Sequence, residues 1–186
     1  MAVAGRAPGT RTPDGMTPAD RVILGIDPGL ASCGVAVVRQ RGRSYEAVHW
    51  DCLRTKPTER FADRLAALHR AVLALVRKHR PQALAMERLF FTKNQKTAFV
   101  VGQAQGAILM ALAGTGIEPF QYTPVEVKMA VTGDGRAEKP AVGKMISRIL
   151  GMAEIPEPDD AADALSVAYC HLVSTRTGAG PAFRRG

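Results

Sequence analysis

Arg21-Val-Ile-Leu-Gly-Ile-Asp27-Pro-Gly-Leu-Ala-Ser-Cys-Gly-Val-Ala-Val-Val38 holds two strand patterns with one tight turn between them. The unbroken apolar run from Val22 to Ile26 reads as a strand buried on both faces, and it stops at Asp27 before the turn signal Pro28-Gly29. A second strand is expected from Gly34 to Val38. So short a connection permits only an antiparallel return, which makes the pair a hairpin with Asp27 on a central, water-poor strand. An ionised carboxylate in that position needs a partner. Asp27 is either a turn residue capping backbone amides or one member of a site, and the choice depends on whether other acids converge on it.

The chain has 186 residues and a formal charge of +8, enough for one domain with a full core. Residues 21–175 hold 20 Lys and Arg against 15 Asp and Glu, leaving +5 on the body and +3 on the two ends. A basic body with clustered acids suits an enzyme acting on a polyanion, with metal ions between acids and phosphates. A basic protein of some other kind is compatible with the charge alone. Cys33, Cys52 and Cys170 are too few and too scattered for a disulfide framework or a thiolate zinc site. They read as small buried apolar residues in a reducing compartment. No stretch approaches the roughly 18 apolar residues of a membrane span, and no signal core is visible, so a cytoplasmic protein with no membrane partner is expected.

Residues 1–20, rich in Gly, Pro, Thr and Arg, are expected to be a disordered basic extension, and 176–186 a flexible tail. Between them, 21–175 forms the folded domain. A third strand from about Tyr45 to Leu53, reached through the basic turn Arg39 to Arg43, completes a meander. Pro57 opens a helix whose apolar stripe Phe61, Leu65, Leu68, Val72, Leu75 and Val76 runs to the Arg80-Pro81 break. Ala83 to Met86 is a short strand ending in Glu87. Coming after a helix, it should lie parallel to the first strand. Asp27 and Glu87 then share one end of neighbouring strands.

The following Arg88-Leu-Phe90-Phe-Thr-Lys93 loop carries two rings, which either tuck into the core or form a wedge that stacks on bases. A helix from about Asn94 to Ala113 bears Gly102 and Gly106, whose cost in helix propensity makes sense if another helix packs along them, in the subunit or across a dimer interface. Ile117 to Tyr122 is a fifth strand. Thr123-Pro-Val-Glu126 is a capping box that starts a helix bearing Lys128. Gly133 to Lys139, with Arg136 and Lys139, is a basic loop open to a phosphate. It is no P-loop, because Gly143-Lys144 is followed by Met145. A helix to about Leu150, a break from Gly151 to Pro158, and a last helix from Asp159 or Asp160 to about Ser174 complete the domain.

Asp159-Asp160-Ala-Ala-Asp163 opens that last helix. Residues three apart lie about 300° round the axis, so Asp160 and Asp163 face one object. Acids in a first turn also favour the helix dipole and cap amides. Ala161 and Ala162 between them, with Leu165, Val167 and Ala168 beyond, imply a helix laid against the sheet with its acids inward. Four acids, Asp27, Glu87, Asp160 and Asp163, on three elements meet the needs of two-metal phosphodiester hydrolysis. Hard oxygen ligands suit Mg²⁺ or Mn²⁺, and two ions about 4 Å apart serve the attacking water and the leaving oxygen. His49, His69, His79 and His171 carry no ligand-like spacing.

Leu24-Gly-Ile-Asp27-Pro-Gly, Met86-Glu87-Arg-Leu-Phe90-Phe-Thr-Lys93-Asn, Gly102-Gln-Ala-Gln-Gly106, Val127-Lys128, Ala137-Glu-Lys139 and Asp160-Ala-Ala-Asp163-Ala-Leu together resemble, in order and spacing, RuvC, the bacterial Holliday-junction resolvase family. The resemblance spans about Arg21 to Val173. It implies an α/β, ribonuclease H-like fold, a five-stranded mixed sheet flanked by helices on both faces, acting as a homodimer on four-way junction DNA beside a RuvA-RuvB branch-migration complex. It implies Asp27, Glu87, Asp160 and Asp163 as metal ligands, with Lys139 catalytic as well as DNA-binding. Lys128 is implied at the DNA, and Phe90 near the junction centre. Lys93 and Arg136 join them as expected DNA contacts.

The expected activity is paired symmetric nicking that leaves 5′-phosphate and 3′-hydroxyl ends a ligase can seal. Asp159 beside Asp160 offers an alternative ligand, and Pro140 after Lys139 stiffens its segment. Two other readings stand beside this one. An actin-like or sugar-kinase ATPase also places Gly-Ile-Asp-x-Gly at a strand end but needs a second lobe. A non-catalytic junction-binding module would use the acids only as caps.

Overall fold

The Val22–Ile26 run lies at the centre of a five-stranded sheet, and residues 20–88 and 95–175 are described by the structure, a computed structural model. Strands β1 (Arg21–Asp27), β2 (Ser32–Arg41) and β3 (Ser44–Arg54) form an antiparallel meander, and β4 (Ala83–Glu87) and β5 (Glu118–Tyr122) join β1 in parallel on its other side. The order β3-β2-β1-β4-β5 follows from the connections: hairpins reverse the chain, whereas α1 (Phe61–His79) and α2 (Gln95–Met110) carry it back for parallel pairing. Helices α3 (Pro124–Thr132), α4 (Lys139–Ile149) and α5 (Asp159–Ser174) complete the chain.

Strand alternation divides the core into two layers. Val22, Leu24 and Ile26 pack with Leu68, Val72 and Val76 of α1 and with Ile108 of α2. Ile23, Ala36 and Ala85 instead meet Val127, Ile146, Leu165 and Ala168 of α3, α4 and α5. Full burial of each large side chain contributes roughly 1.5–3 kcal/mol. The alternation also aims the acids: Asp27 follows Ile26 and Glu87 follows Met86, so both project toward the α5 layer. Ile26 pairs with Met86, which puts the two acids one step beyond on adjacent strands.

Local signals explain the ends. Arg80 takes a left-handed conformation (φ 46°) and closes α1 before Pro81. Thr123 caps α3 by accepting from the Glu126 amide, while the Glu126 side chain returns to the Thr123 amide at 2.7 Å. Thr123→Ala is expected to lower stability by about 1 kcal/mol in chemical denaturation, with junction cleavage unchanged at 25 °C.

Several boundaries differ from the sequence expectation. β2 runs through Arg39 and Arg41, so the basic turn shrinks to Gly42-Arg43, with Gly42 at φ 59°. α1 begins at Phe61 rather than Pro57, because residues 56–59 close a local turn through Glu59 N→Lys56 O and Lys56 N→Glu59 Oε2. Phe61 is then exposed and outside the core stripe. Lys139 is the first residue of α4 rather than part of the preceding loop, and Pro140 occupies a helix start, where its missing N–H costs nothing. Asp20, assigned above to the extension, is buried beside Arg41. The expectations for residues 1–19, the rings and Lys93 of the 89–94 loop, and the 176–186 tail fall outside the described residues. Among the described residues no helix is long and apolar enough to cross a membrane.

Candidate active site

Asp27 is the centre of charge. Its carboxyl is pushed up to about 7, first by burial and then by Asp163, Glu87 and Asp160, with Lys139 opposing. Glu87 is raised by burial and by Asp163, with Lys139 and Lys128 opposing. All four acids singled out from the sequence, on β1, β4 and the first two turns of α5, are thus within electrostatic reach of one another, and Lys139 and Lys128 act on them as well. Lys139 Nζ donates to Asp163 Oδ2 at 2.8 Å, and chiefly for that reason its own pKa is raised.

The α5 acids reach the sheet because two glycines admit the helix backbone. A Cβ on Gly34 would stand 1.8 Å from the Asp160 carbonyl oxygen, and one on Gly25 would stand 2.0 Å from that of Ala164. No side chain fits between β1, β2 and α5 at these points. Neither glycine was legible as a site residue, although an isolated glycine in a strand pattern is the signal for close backbone approach. Asp160 Oδ2 accepts a hydrogen bond from Ser32 Oγ at 2.5 Å, with Cys52 Sγ 3.0 Å from the same hydroxyl. Gln105, from the Gly-Gln-Ala-Gln-Gly segment, donates to the Glu87 carbonyl at 3.2 Å. Ser32, Cys52 and Gln105 were also missed.

Asp159 is exposed, lines an open groove with Arg54, Lys139 and Asp160, and is among the charges that raise Lys139. Arg136 is exposed on the turn before α4, its amide bonded to Asp134. The histidines serve the fold: His171 Nδ1 lies 2.8 Å from the Tyr122 hydroxyl, His69 Nδ1 lies 3.2 Å from the Ala107 carbonyl, and His49 stacks on His79.

The donor set fits a hard divalent cation. Clustered carboxylates in a partly dry site repel one another, and entering positive charge relieves that repulsion; burial and this crowding together raise the carboxyls of Asp27 and Glu87. Among the described residues no three acids already close on one point. Asp160 accepts from Ser32 and Asp163 from Lys139 through Oδ2, and the second oxygen of each carboxylate takes no part in those two bonds.

The family model "Crossover junction endodeoxyribonuclease RuvC" matches residues 23–171. A curated protein of that name from Ruminiclostridium cellulolyticum is 46% identical over 158 residues, covering 85% of this chain and 95% of the relative. Two solved structures from Thermus thermophilus are similar. RuvC itself has TM-score 0.82 at 36% identity, and RuvC in complex with Holliday-junction substrate has TM-score 0.81 at 34%. Each comparison covers 87% of this chain and 99% of the other. The yeast mitochondrial Holliday-junction resolvase, at 16% identity and TM-score 0.60 over 81% of this chain and 77% of that one, shares the fold.

Proposed function

The chain belongs to the RuvC family of crossover junction endodeoxyribonucleases, and from that premise we propose that Asp27, Glu87, Asp160 and Asp163 hold the divalent cations with which it cuts the junction. The protein is a ribonuclease H-like, metal-dependent nuclease that resolves Holliday junctions. The observation that carries the assignment of ligands is that the charges of Asp163, Glu87 and Asp160 all act on the half-buried Asp27, whose carboxyl they help raise to about 7.

Mg²⁺, two ions per site, is the cofactor of this reading, and Mn²⁺ substitutes for it. Such ions supply neutralisation of the scissile phosphate and activation of the attacking water. The chain's own residues supply the frame. Asp27 and Glu87 are fixed by paired strands, Asp160 and Asp163 by the seated helix. Lys139, paired with Asp163, stands ready to exchange that partner for a phosphate oxygen, and Lys128 offsets charge at Glu87. Phe90, Lys93 and Arg136 are assigned to the DNA.

The enzyme works as a homodimer, because a four-way junction needs two opposed cuts and a two-fold dimer presents the same site twice. One nuclease domain, 20–175 with Asp20 packed at its start, acts in the cytoplasm and with the RuvA-RuvB complex implied by its family. The dimer contact is placed on α2. Among the described residues a Cβ on Gly106 would meet nothing within 4 Å, and Phe99 and Met110 of the same helix are exposed. Gly106→Leu is therefore expected to leave the fold intact and yield a monomer at micromolar concentration by light scattering. A persistent dimer would remove α2 from the interface.

The overall test compares a synthetic four-way junction with a linear duplex of the same sequence, in Mg²⁺, Mn²⁺ and chelator. Paired symmetric nicks on the junction alone are expected, lost by at least ~10³-fold in chelator. Junction binding without cleavage in either ion, by a folded dimer, would support the non-catalytic reading.

A further inference from the structure

Ser32 begins β2 and shares a sheet face with Gly34, two residues on, while Cys52 is paired across the ladder with Gly34 and projects to that face as well. The three make a platform: the glycine leaves room for the α5 backbone at Asp160, and the two polar side chains flank it. Ser32 Oγ donates to Asp160 Oδ2 at 2.5 Å across 128 residues of sequence. A hydroxyl has one proton, so with that proton given to Asp160, Cys52, 3.0 Å from Ser32 Oγ and 3.7 Å from Asp160 Oδ2, is the donor to the serine.

The link is not needed to hold α5 on the sheet, because Ala161, Ala164, Leu165 and Ala168 of that helix are all buried there. Its effect falls instead on the orientation of one carboxylate. We propose that Ser32 is a positioning residue for cleavage: backed by the Cys52 thiol, its hydroxyl fixes the Asp160 carboxylate in the orientation from which it takes a divalent cation. The inference rests on the reading of Asp160 as a ligand. Groups that orient ligands in this way typically change metal affinity or activity 10–100-fold on removal.

The test uses Ser32→Ala and Ser32→Thr in the full chain, with Asp160→Asn beside them. Mn²⁺ affinity is read by calorimetry without DNA, and the Mg²⁺ dependence of junction cleavage is read separately. Ser32→Ala is expected to weaken Mn²⁺ binding and raise the half-saturating Mg²⁺ concentration by ~10-fold or more, while Ser32→Thr, which keeps the donor, stays within about threefold of wild type. Junction affinity in chelator is expected to be unchanged in both. Wild-type Mn²⁺ affinity and Mg²⁺ dependence in Ser32→Ala, or an equal loss in Ser32→Thr, would overturn the proposal.

If Ser32→Ala fails to fold, Cys52→Ala takes its place. A several-fold loss of Mn²⁺ affinity, recovered in Cys52→Ser, is then expected, and no loss overturns the proposal. Asp160→Asn that binds Mn²⁺ and cleaves like wild type would instead remove the ligand reading beneath it.

Discussion

Asp27→Asn is expected to abolish junction cleavage, by at least ~10³-fold, and at the same time to raise the melting temperature of the metal-free protein. Both effects come from one half-buried charge. The Asp27 carboxyl goes from an ordinary value of 3.8 to about 7 on folding. A raised acid is a cost to the ionised native state: the folded protein binds the extra proton between the two values, so stability falls as pH rises from about 4 to 7 and stays low above that. The full shift corresponds to roughly 4 kcal/mol, an upper bound for a cluster that relaxes. Asparagine keeps the shape and removes the charge. In chelator at pH 8, Asp27→Asn should melt several degrees above wild type, and the gap should close toward pH 5. Mn²⁺ should stabilise wild type by mass action and the variant far less. A variant that cleaves at the wild-type rate would remove Asp27 from the site, and one that melts below wild type at pH 8 would show that its charge is satisfied by the fold alone.

The parts of this site visible in the sequence are those where one residue both ends an element and carries charge. Asp27 stops an apolar run and Glu87 stops another, so period and break together located them. Asp160 and Asp163 followed from helical spacing and from the small residues between them. One short turn and one helical crossover were enough to mix antiparallel with parallel pairing, while the full five-stranded mixed sheet came from the family resemblance. Boundaries were less visible: arginines in β2 look like turn material until their strand partners are known, and Pro57 signals a helix start although Glu59 and Lys56 close a separate turn ahead of Phe61. Ser32 and Cys52 are ordinary strand residues until α5 is laid across them. Gln105 lies inside a segment matched for its glycines, and only the fold shows its amide reaching Glu87. Contacts between elements distant in sequence leave no local pattern, which is why supporting residues stayed hidden while the acids did not.

Gly34→Ala is expected to lose both stability and cleavage, although it adds one methyl group. The new Cβ would fall 1.8 Å from the Asp160 carbonyl oxygen and 2.4 Å from its carbon. Ordinary contact begins near 3.4 Å, so the start of α5 has to lift by more than 1 Å or β2 has to bend away. Neither is cheap, because the clashing atoms on α5 are backbone and that helix is buried along Ala161, Ala164, Leu165 and Ala168. Overpacking of this kind costs typically 1–3 kcal/mol, and the upper end is expected here because no flexible side chain can yield. The displaced atoms belong to a proposed ligand, and a misplacement of about 1 Å can lower a rate 10²-fold. Cleavage should therefore remain depressed at temperatures where the variant is fully folded by circular dichroism. Gly25→Ala, whose Cβ would meet the Ala164 carbonyl oxygen at 2.0 Å and the Ala168 Cβ at 2.8 Å, should lose comparable stability by the same contact one turn along the helix. If Gly34→Ala melts within a degree of wild type and cleaves normally, α5 does not rest directly on β2, and the placement of Asp160 needs another explanation.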